Sequence, residues 1–281
     1  GYHELKMIMQ TVGLYDDITL TRIPEDTILL TSNATWMPTD ARNLAYRAAQ
    51  LLRETYDLKE GIQIHIDKRI PVAAGLAGGS ADCAAVLVGM NRLFGLQLSR
   101  TKLEELALTM GTDIPYCVRR GTVLAEGVGE VLTNIHPPCP DCYVVLAKLP
   151  VSVSTAKVYQ SLQWERITQH PDTDGMLAAM AAGDIAAMGQ CLGNVLETVT
   201  IPMYPKIAKL KETLIQHGAQ GALMSGSGPT VFGLFTEQQR AKSAANALRR
   251  QYHIRDVFVT RIYHVPHDKN ERRIHNARHE I

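Results

Sequence analysis

The chain has 281 residues, 46% apolar and 20% charged, enough to close a packed core in one large domain or two modest ones. Its 29 lysines and arginines nearly balance 28 aspartates and glutamates, so net charge gives no reason to expect a nucleic-acid backbone or an anionic membrane as partner. No apolar run approaches the roughly 20 residues of a membrane span, no basic stretch leads into an apolar signal core, and Cys83, Cys117, Cys139, Cys142 and Cys191 are scattered, so a cytoplasmic protein without a disulfide framework is expected.

In chain order, strand patterns fall near 5 to 20 and at 27–32, and Ile62, Ile64 and Ile66 alternate with polar residues in a third strand at 62–66. Further strands are expected at 121–127 and 142–149, and helices at 40–56, 80–94, 101–110 and 113–119. Residues 150–155 read as a connection, followed by an alanine- and methionine-rich helix at 174–190 and another at 203–217. A strand-loop-strand at 221–235, a helix at 237–251 and a strand at 256–265 complete the pattern. This order predicts a mixed α/β first part and a smaller α+β second part, with helices on one face of an antiparallel sheet. Cys139-Pro140-Asp141-Cys142 is a lone CxxC and reads as a surface turn, and the charged, histidine-rich end reads as a solvated tail.

The stretch PVAAGLAGGSADCAA, residues 71–85, leads from the Ile62–Ile66 strand into a helix whose signal starts near Ser80, with Ala81, Ala84, Ala85 and Val88 at helical spacing. Gly75, Gly78 and Gly79 lie between. Glycine allows positive φ and close approach, and the free N–H groups of a helix start favour an anion. Glycine-rich turns before helices are common, so a phosphate site and a plain turn both remain open on this evidence. The stretch is neither GxxxxGK[ST] nor GxGxxG with a following acid, which excludes a P-loop and a dinucleotide fingerprint.

Pro71-x-x-x-Gly75-Leu76-Ala77-Gly78-Gly79-Ser80-Ala81 resembles the ATP loop of the kinases named after galactokinase, homoserine kinase, mevalonate kinase and phosphomevalonate kinase. Ser225-Gly226-Ser227-Gly228-Pro229 resembles the C-terminal glycine-rich loop of the same family, and the resemblance runs from the first residue to about Tyr263. It implies a two-domain α+β fold with the active site in the cleft between the domains. A mixed N-terminal α/β domain, like domain 2 of ribosomal protein S5, would cover 1–149, a smaller ferredoxin-like α+β domain 150–265, and a charged tail 266–281. It also implies ATP as phosphoryl donor and magnesium arriving mainly with it, since no carboxylate cluster has the spacing of a protein-built metal cage.

The GLxGGSAD version of the loop, Gly1-Tyr2-His3-Glu4 and Gly111-Thr112-Asp113-Ile114-Pro115-Tyr116 resemble a branch of the family whose small-molecule acceptor is a cytidine diphosphate-linked methylerythritol, used in isoprenoid precursor biosynthesis by the non-mevalonate route. No oligomeric state is implied. By itself, Asp113 between Gly111-Thr112 and Pro115 reads as a helix N-cap whose charge the helix start would favour. The resemblance makes it the catalytic aspartate. In the family that residue works beside a lysine in a Lys-x-Asn-Leu strand, which would precede Gly1. The chain starts without methionine, so this segment is expected to have been cut or left out; a shortened, inactive protein is the alternative. Lys6 does not match the motif.

The same resemblance assigns Tyr2, His3, Thr155 and Tyr159 to the cytidine, with the ring between two tyrosines. On the ATP side it assigns Asn43 near the adenine, Lys68 less firmly, Pro71 and the loop Gly75 to Ser80, and the wall Gly226, Ser227 and Gly228. The Ser80 hydroxyl would approach the phosphates or their magnesium. Residue by residue, the plain readings are a helix start for Asn43, a solvated charge for Lys68, half-buried aromatics for the tyrosines and a tight strand turn for 226–228. A sister kinase with another alcohol substrate and a non-catalytic nucleotide-binding protein are the competing functions.

Overall fold

The computed structural model describes residues 5–266, so Tyr2, His3 and the charged tail lie outside the described residues. The chain opens with β1 (Leu5–Gln10), β2 (Asp17–Ile23), β3 (Ile28–Ser32), α1 (Leu44–Thr55) and β4 (Gly61–Asp67). Alternation along β4 works as expected: Ile62, Ile64 and Ile66 are fully buried, while Gln63 and His65 face outward. β4 is the centre of the order β2-β4-β3, antiparallel to β2 and parallel to β3. The parallel pair needs a crossover, and α1 provides it.

Next come α2 (Gly78–Leu93), α3 (Arg100–Leu108) and α4 (Ile114–Arg119). The β4 isoleucines pack under Ala45, Ala48, Ala49 and Leu52 of α1 and Cys83, Val86, Leu87 and Met90 of α2. Each buried isoleucine contributes roughly 2 kcal/mol. Alanines on α1 and α2 let the two helices pack side by side over the sheet.

A second sheet, ordered β1-β5-β6, is antiparallel and uses β5 (Thr122–Gly127) and β6 (Val131–Asn134). Beyond it lie β7 (Tyr143–Lys148), α5 (Thr155–Ser161), α6 (Thr173–Ala182), α7 (Ile185–Cys191), α8 (Glu197–Met203) and α9 (Lys206–Gln216). The chain continues with β8 (Gly221–Met224), β9 (Thr230–Phe235), α10 (Gln238–Tyr252) and β10 (Val257–Arg261). These strands form an antiparallel sheet ordered β10-β7-β9-β8.

β7, which precedes the 149/150 position, pairs with β9 and β10, which follow it. Several expectations change here. Helices cover both faces of this sheet, because Val145 and Ala147 pack toward α9 and α10 while Val144 and Leu146 pack toward α6 and α7. The near-continuous apolar run of β7 reflects that double burial. The expected helix at 174–190 is two helices, broken where Gly183 turns left-handed at φ 69° and Asp184 caps α7 by accepting from the Ala186 and Ala187 N–H groups. Cys139 and Cys142 are buried beside β7 and do not form a surface turn. A bridge between Val12 and Ile262 joins the second sheet to the third, and the Tyr263 N–H donates to the Thr11 carbonyl at 2.9 Å. Among the described residues no helix is long and apolar enough to cross a membrane.

Candidate active site

The glycine stretch of 71–80 forms a tight loop that enters α2 two residues earlier than expected. Ala77, in left-handed conformation at φ 50°, is the N-cap, so Gly78 and Gly79 build the first helical turn with Ser80. The N–H groups of these three residues make no hydrogen bond within the described protein, and the face of Gly79 is open, with Leu44 Cδ1 the nearest atom at 3.8 Å from where a Cβ would stand. Uncommitted donors at an open helix start suit the oxygens of a phosphate chain. Leu76 turns the other way and packs into the core between the second and third sheets. Pro71 is half-buried at the loop entrance.

The second glycine loop is the turn between β8 and β9, with Gly226 at φ 54° and Gly228 at φ 84°. It touches the first loop directly: the Ser225 hydroxyl donates to the Gly75 carbonyl at 2.7 Å, and the Thr230 N–H donates to the Ala74 carbonyl at 3.3 Å. Asn194 braces this turn from behind, donating to the carbonyls of Met224 (2.9 Å) and Gly226 (2.8 Å). Glu197, paired with Lys211, accepts the Met224 N–H at 2.9 Å. Ser227 is buried, and its hydroxyl meets that of Thr155 at 2.9 Å.

Thr155 opens α5, and Tyr159 follows one turn later on the same helix. Asp113 precedes α4 but its side chain makes no capping hydrogen bond, so it is not the ordinary N-cap that its position suggests. Its residue reaches solvent, yet the protein packed around it displaces water and pushes the carboxyl above the usual aspartate range. The expectation that the helix start would favour the charge therefore fails: α4 has only six residues, and the loss of water outweighs it. The Tyr159 phenol is pushed up by burial and then by the Asp113 charge.

Asn43 and Lys68 both bond within the protein. The Asn43 side chain caps α1 by accepting the Ala45 N–H at 2.9 Å, and donates one of its two amide N–H groups to the Pro38 carbonyl at 2.9 Å. Lys68 is no solvated charge: its side chain is 4% exposed and its ammonium pairs with Asp16 and with Asp82. Lys6 pairs with Asp174. Among the described residues no group of three His, Cys, Asp or Glu side chains could hold a metal ion. Two surface recesses of about 490 and 410 Å³, beside Lys242 and beside Arg53, contain neither glycine loop.

Residues 43–121 match the GHMP kinases N terminal domain, and residues 176–254 match the GHMP kinases C terminal domain. The protein named 4-diphosphocytidyl-2-C-methyl-D-erythritol kinase in Lachnospira eligens is 48% identical over 94% of this chain and 91% of its own length.

The chain belongs to the GHMP kinases.

The protein of the same name in Geobacillus thermodenitrificans is 52% identical over 89% of this chain and 86% of its own. Among solved structures, a 4-(cytidine 5'-diphospho)-2C-methyl-D-erythritol kinase superposes with a TM-score of 0.80 at 30% identity, covering 94% of this chain and 92% of that one. Homoserine kinase from Cytophaga hutchinsonii shares the fold, with a TM-score of 0.75 at 21% identity over 91% of this chain and 89% of that one. In this GHMP kinase the two glycine loops meet through Ser225 and Gly75, and Thr155 reaches the second loop through Ser227. Ser225 as the bridge, Asn194 and Glu197 as braces, and Asp16 and Asp82 as partners of Lys68 were not anticipated. The acid of Gly79-Ser80-Ala81-Asp82 on an otherwise apolar helix face was the one available signal for that last group.

Proposed function

We propose that this GHMP kinase transfers the γ-phosphoryl group of ATP to the 2-hydroxyl of 4-diphosphocytidyl-2-C-methyl-D-erythritol, in the cytoplasm, as a step of isoprenoid precursor biosynthesis. The observation that carries the reading is the 48% identity, across 94% of the chain, to a protein named for that reaction. ATP with magnesium supplies an activated γ-phosphoryl group. The rest of the chemistry falls to positioning and charge stabilisation.

The first-turn N–H groups of Gly78, Gly79 and Ser80 hold phosphate oxygens, and the Ser80 hydroxyl lies within the same turn. The Ser225–Gly228 turn closes the other side of the cradle, fixed by its bond to Gly75. Asp113, uncommitted by any cap bond, orients the acceptor hydroxyl and takes its proton as the oxygen attacks. Tyr159 offers a ring face to the cytosine, with Thr155 beside it, and Tyr2 and His3 complete this group. Asn43, with one amide N–H beyond its cap bonds, stands on the adenine side, whereas the Lys68 ammonium is engaged by two carboxylates and is not assigned a direct nucleotide contact.

The test is ADP release with and without the cytidine-linked acceptor, beside an Asp113→Asn variant. Acceptor-dependent release that disappears in the variant is expected. Turnover of mevalonate or homoserine in place of that acceptor would favour a sister kinase. Silence with every acceptor would return the non-catalytic nucleotide-binding alternative.

A further inference from the structure

Beneath the phosphate cradle lies a buried cluster with no assigned role. Asp16, Lys68 and Asp82 have side chains only 2 to 4% exposed, far from the usual place of charged residues. Asp16 accepts the backbone N–H groups of Arg69 and Ile70 as well as the Lys68 ammonium, and so fixes the turn that enters the glycine loop. The same ammonium donates to Asp82 Oδ2 at 2.8 Å, on the second turn of α2, where the loop ends. One side chain thus connects both ends of the loop. A Cβ placed on Gly78 would stand 3.2 Å from the Lys68 nitrogen, so the clamp lies directly under the first helical turn.

The segment it spans is not relaxed. Ala73 and Ala77 both have φ of 50°, on either side of Gly75 at 72°. Alanine in that region carries a steric cost of roughly 1 kcal/mol or more, and persists only where the surroundings over-determine it. Asp82 Oδ1 is buried without a partner, so the link to α2 rests on the single ion pair through Oδ2.

We propose that Asp16, Lys68 and Asp82 are positioning residues that hold the strained 72–77 loop and the start of α2 in nucleotide-ready geometry, acting through the backbone of Gly78 without touching the nucleotide. The inference rests on the reading of this loop as the phosphate cradle. Its structural half can be measured with no ligand present.

Asp82→Ala severs the helix-side link and leaves Lys68 neutralised by Asp16, so the protein keeps its fold. Amide hydrogen exchange across residues 72–80 of the ligand-free variant should accelerate at least tenfold, with exchange in β7 and β9 unchanged. The KM for ATP should rise about tenfold while kcat and the acceptor KM move less than about threefold, the signature of a misplaced cradle. Lys68→Met should reproduce both effects; if it fails to fold, Asp82→Ala decides alone. Unchanged loop exchange overturns the clamp. Faster exchange with an unaltered ATP KM overturns its role toward the nucleotide. A wild type that binds no ATP removes the kinase reading and the cradle role together, whatever the exchange shows.

Discussion

The Ser225 hydroxyl donates to the Gly75 carbonyl at 2.7 Å, tying together two loops 150 residues apart in sequence. Neither loop is an independent element, because each supplies a wall that the other holds in place. Ser225→Ala removes the bond and little else. A hydrogen bond of this kind contributes about 1 kcal/mol, so roughly fivefold weaker ATP binding is expected, with the fold intact. Calorimetric titration of both proteins with ATP measures it, and equal affinities would show that the loops dock without this contact.

Gly75→Ala should be far harsher. A Cβ at this position would stand 2.3 Å from the Ser225 carbonyl oxygen, and φ of 72° already disfavours a side chain. One loop must retreat from the other, at a cost of about 2 to 4 kcal/mol in stability. Urea unfolding monitored by circular dichroism should show the midpoint fall. A midpoint equal to that of the wild type would refute the close approach.

Asp113→Asn is expected to lower kcat by about 10²- to 10⁴-fold, the usual range for losing a general base. Stability should move the opposite way. The folded carboxyl titrates above its ordinary value of 3.8, so the fold favours the protonated form. Stability from this group is present at low pH and is lost as pH rises through the folded-state pKa, after which it is level. At neutral pH the uncharged asparagine should therefore melt higher than the aspartate, and the gap should close in acid. In the wild type kcat should rise with pH as the carboxyl loses its proton. Melting curves from pH 3 to 8 that are parallel for the two proteins would contradict the account of a carboxyl raised by lost hydration.

Tyr159→Ala should affect the acceptor alone. Base stacking on an aromatic ring contributes about 1 to 3 kcal/mol, so the acceptor KM should rise roughly 5- to 150-fold with the ATP KM unchanged. Tyr159→Phe, which keeps the ring face, should stay near the wild type. Equal damage to both substrates would place Tyr159 in the packing of the C-terminal core, where its ring already leans.

What the sequence made legible was local. Strand β4 could be read from alternating isoleucines, α2 from alanine spacing, and the two glycine loops from composition, because each signal lies within a dozen residues. The start of α2 shifted to Gly78 since a left-handed Ala77 has no composition signature. The long-range partners are hidden: nothing near Lys68 points to Asp16 across 52 residues, and Asp82, 14 residues on, shows only as a lone acid on an apolar helix face, so what reads as a solvated charge is a closed cluster. Asn43 carries no deciding signal in the sequence, since an asparagine before a helix serves equally as ligand contact or cap, and here it makes the cap. The helix-covered second face of the C-terminal sheet is not legible, because which face of a sheet a helical stretch covers is a tertiary placement with no local signal.

The bridge between Val12 and Ile262 sets an order of events during synthesis. The strand-side partners of residues 11 to 13 are Arg261 through Tyr263, and β7 waits for β9 and β10. A ribosome must therefore deliver the chain through Tyr263 before the second and third sheets can join. Until then the backbone along β7 lacks both neighbours, the kind of open edge on which non-native strand pairing starts.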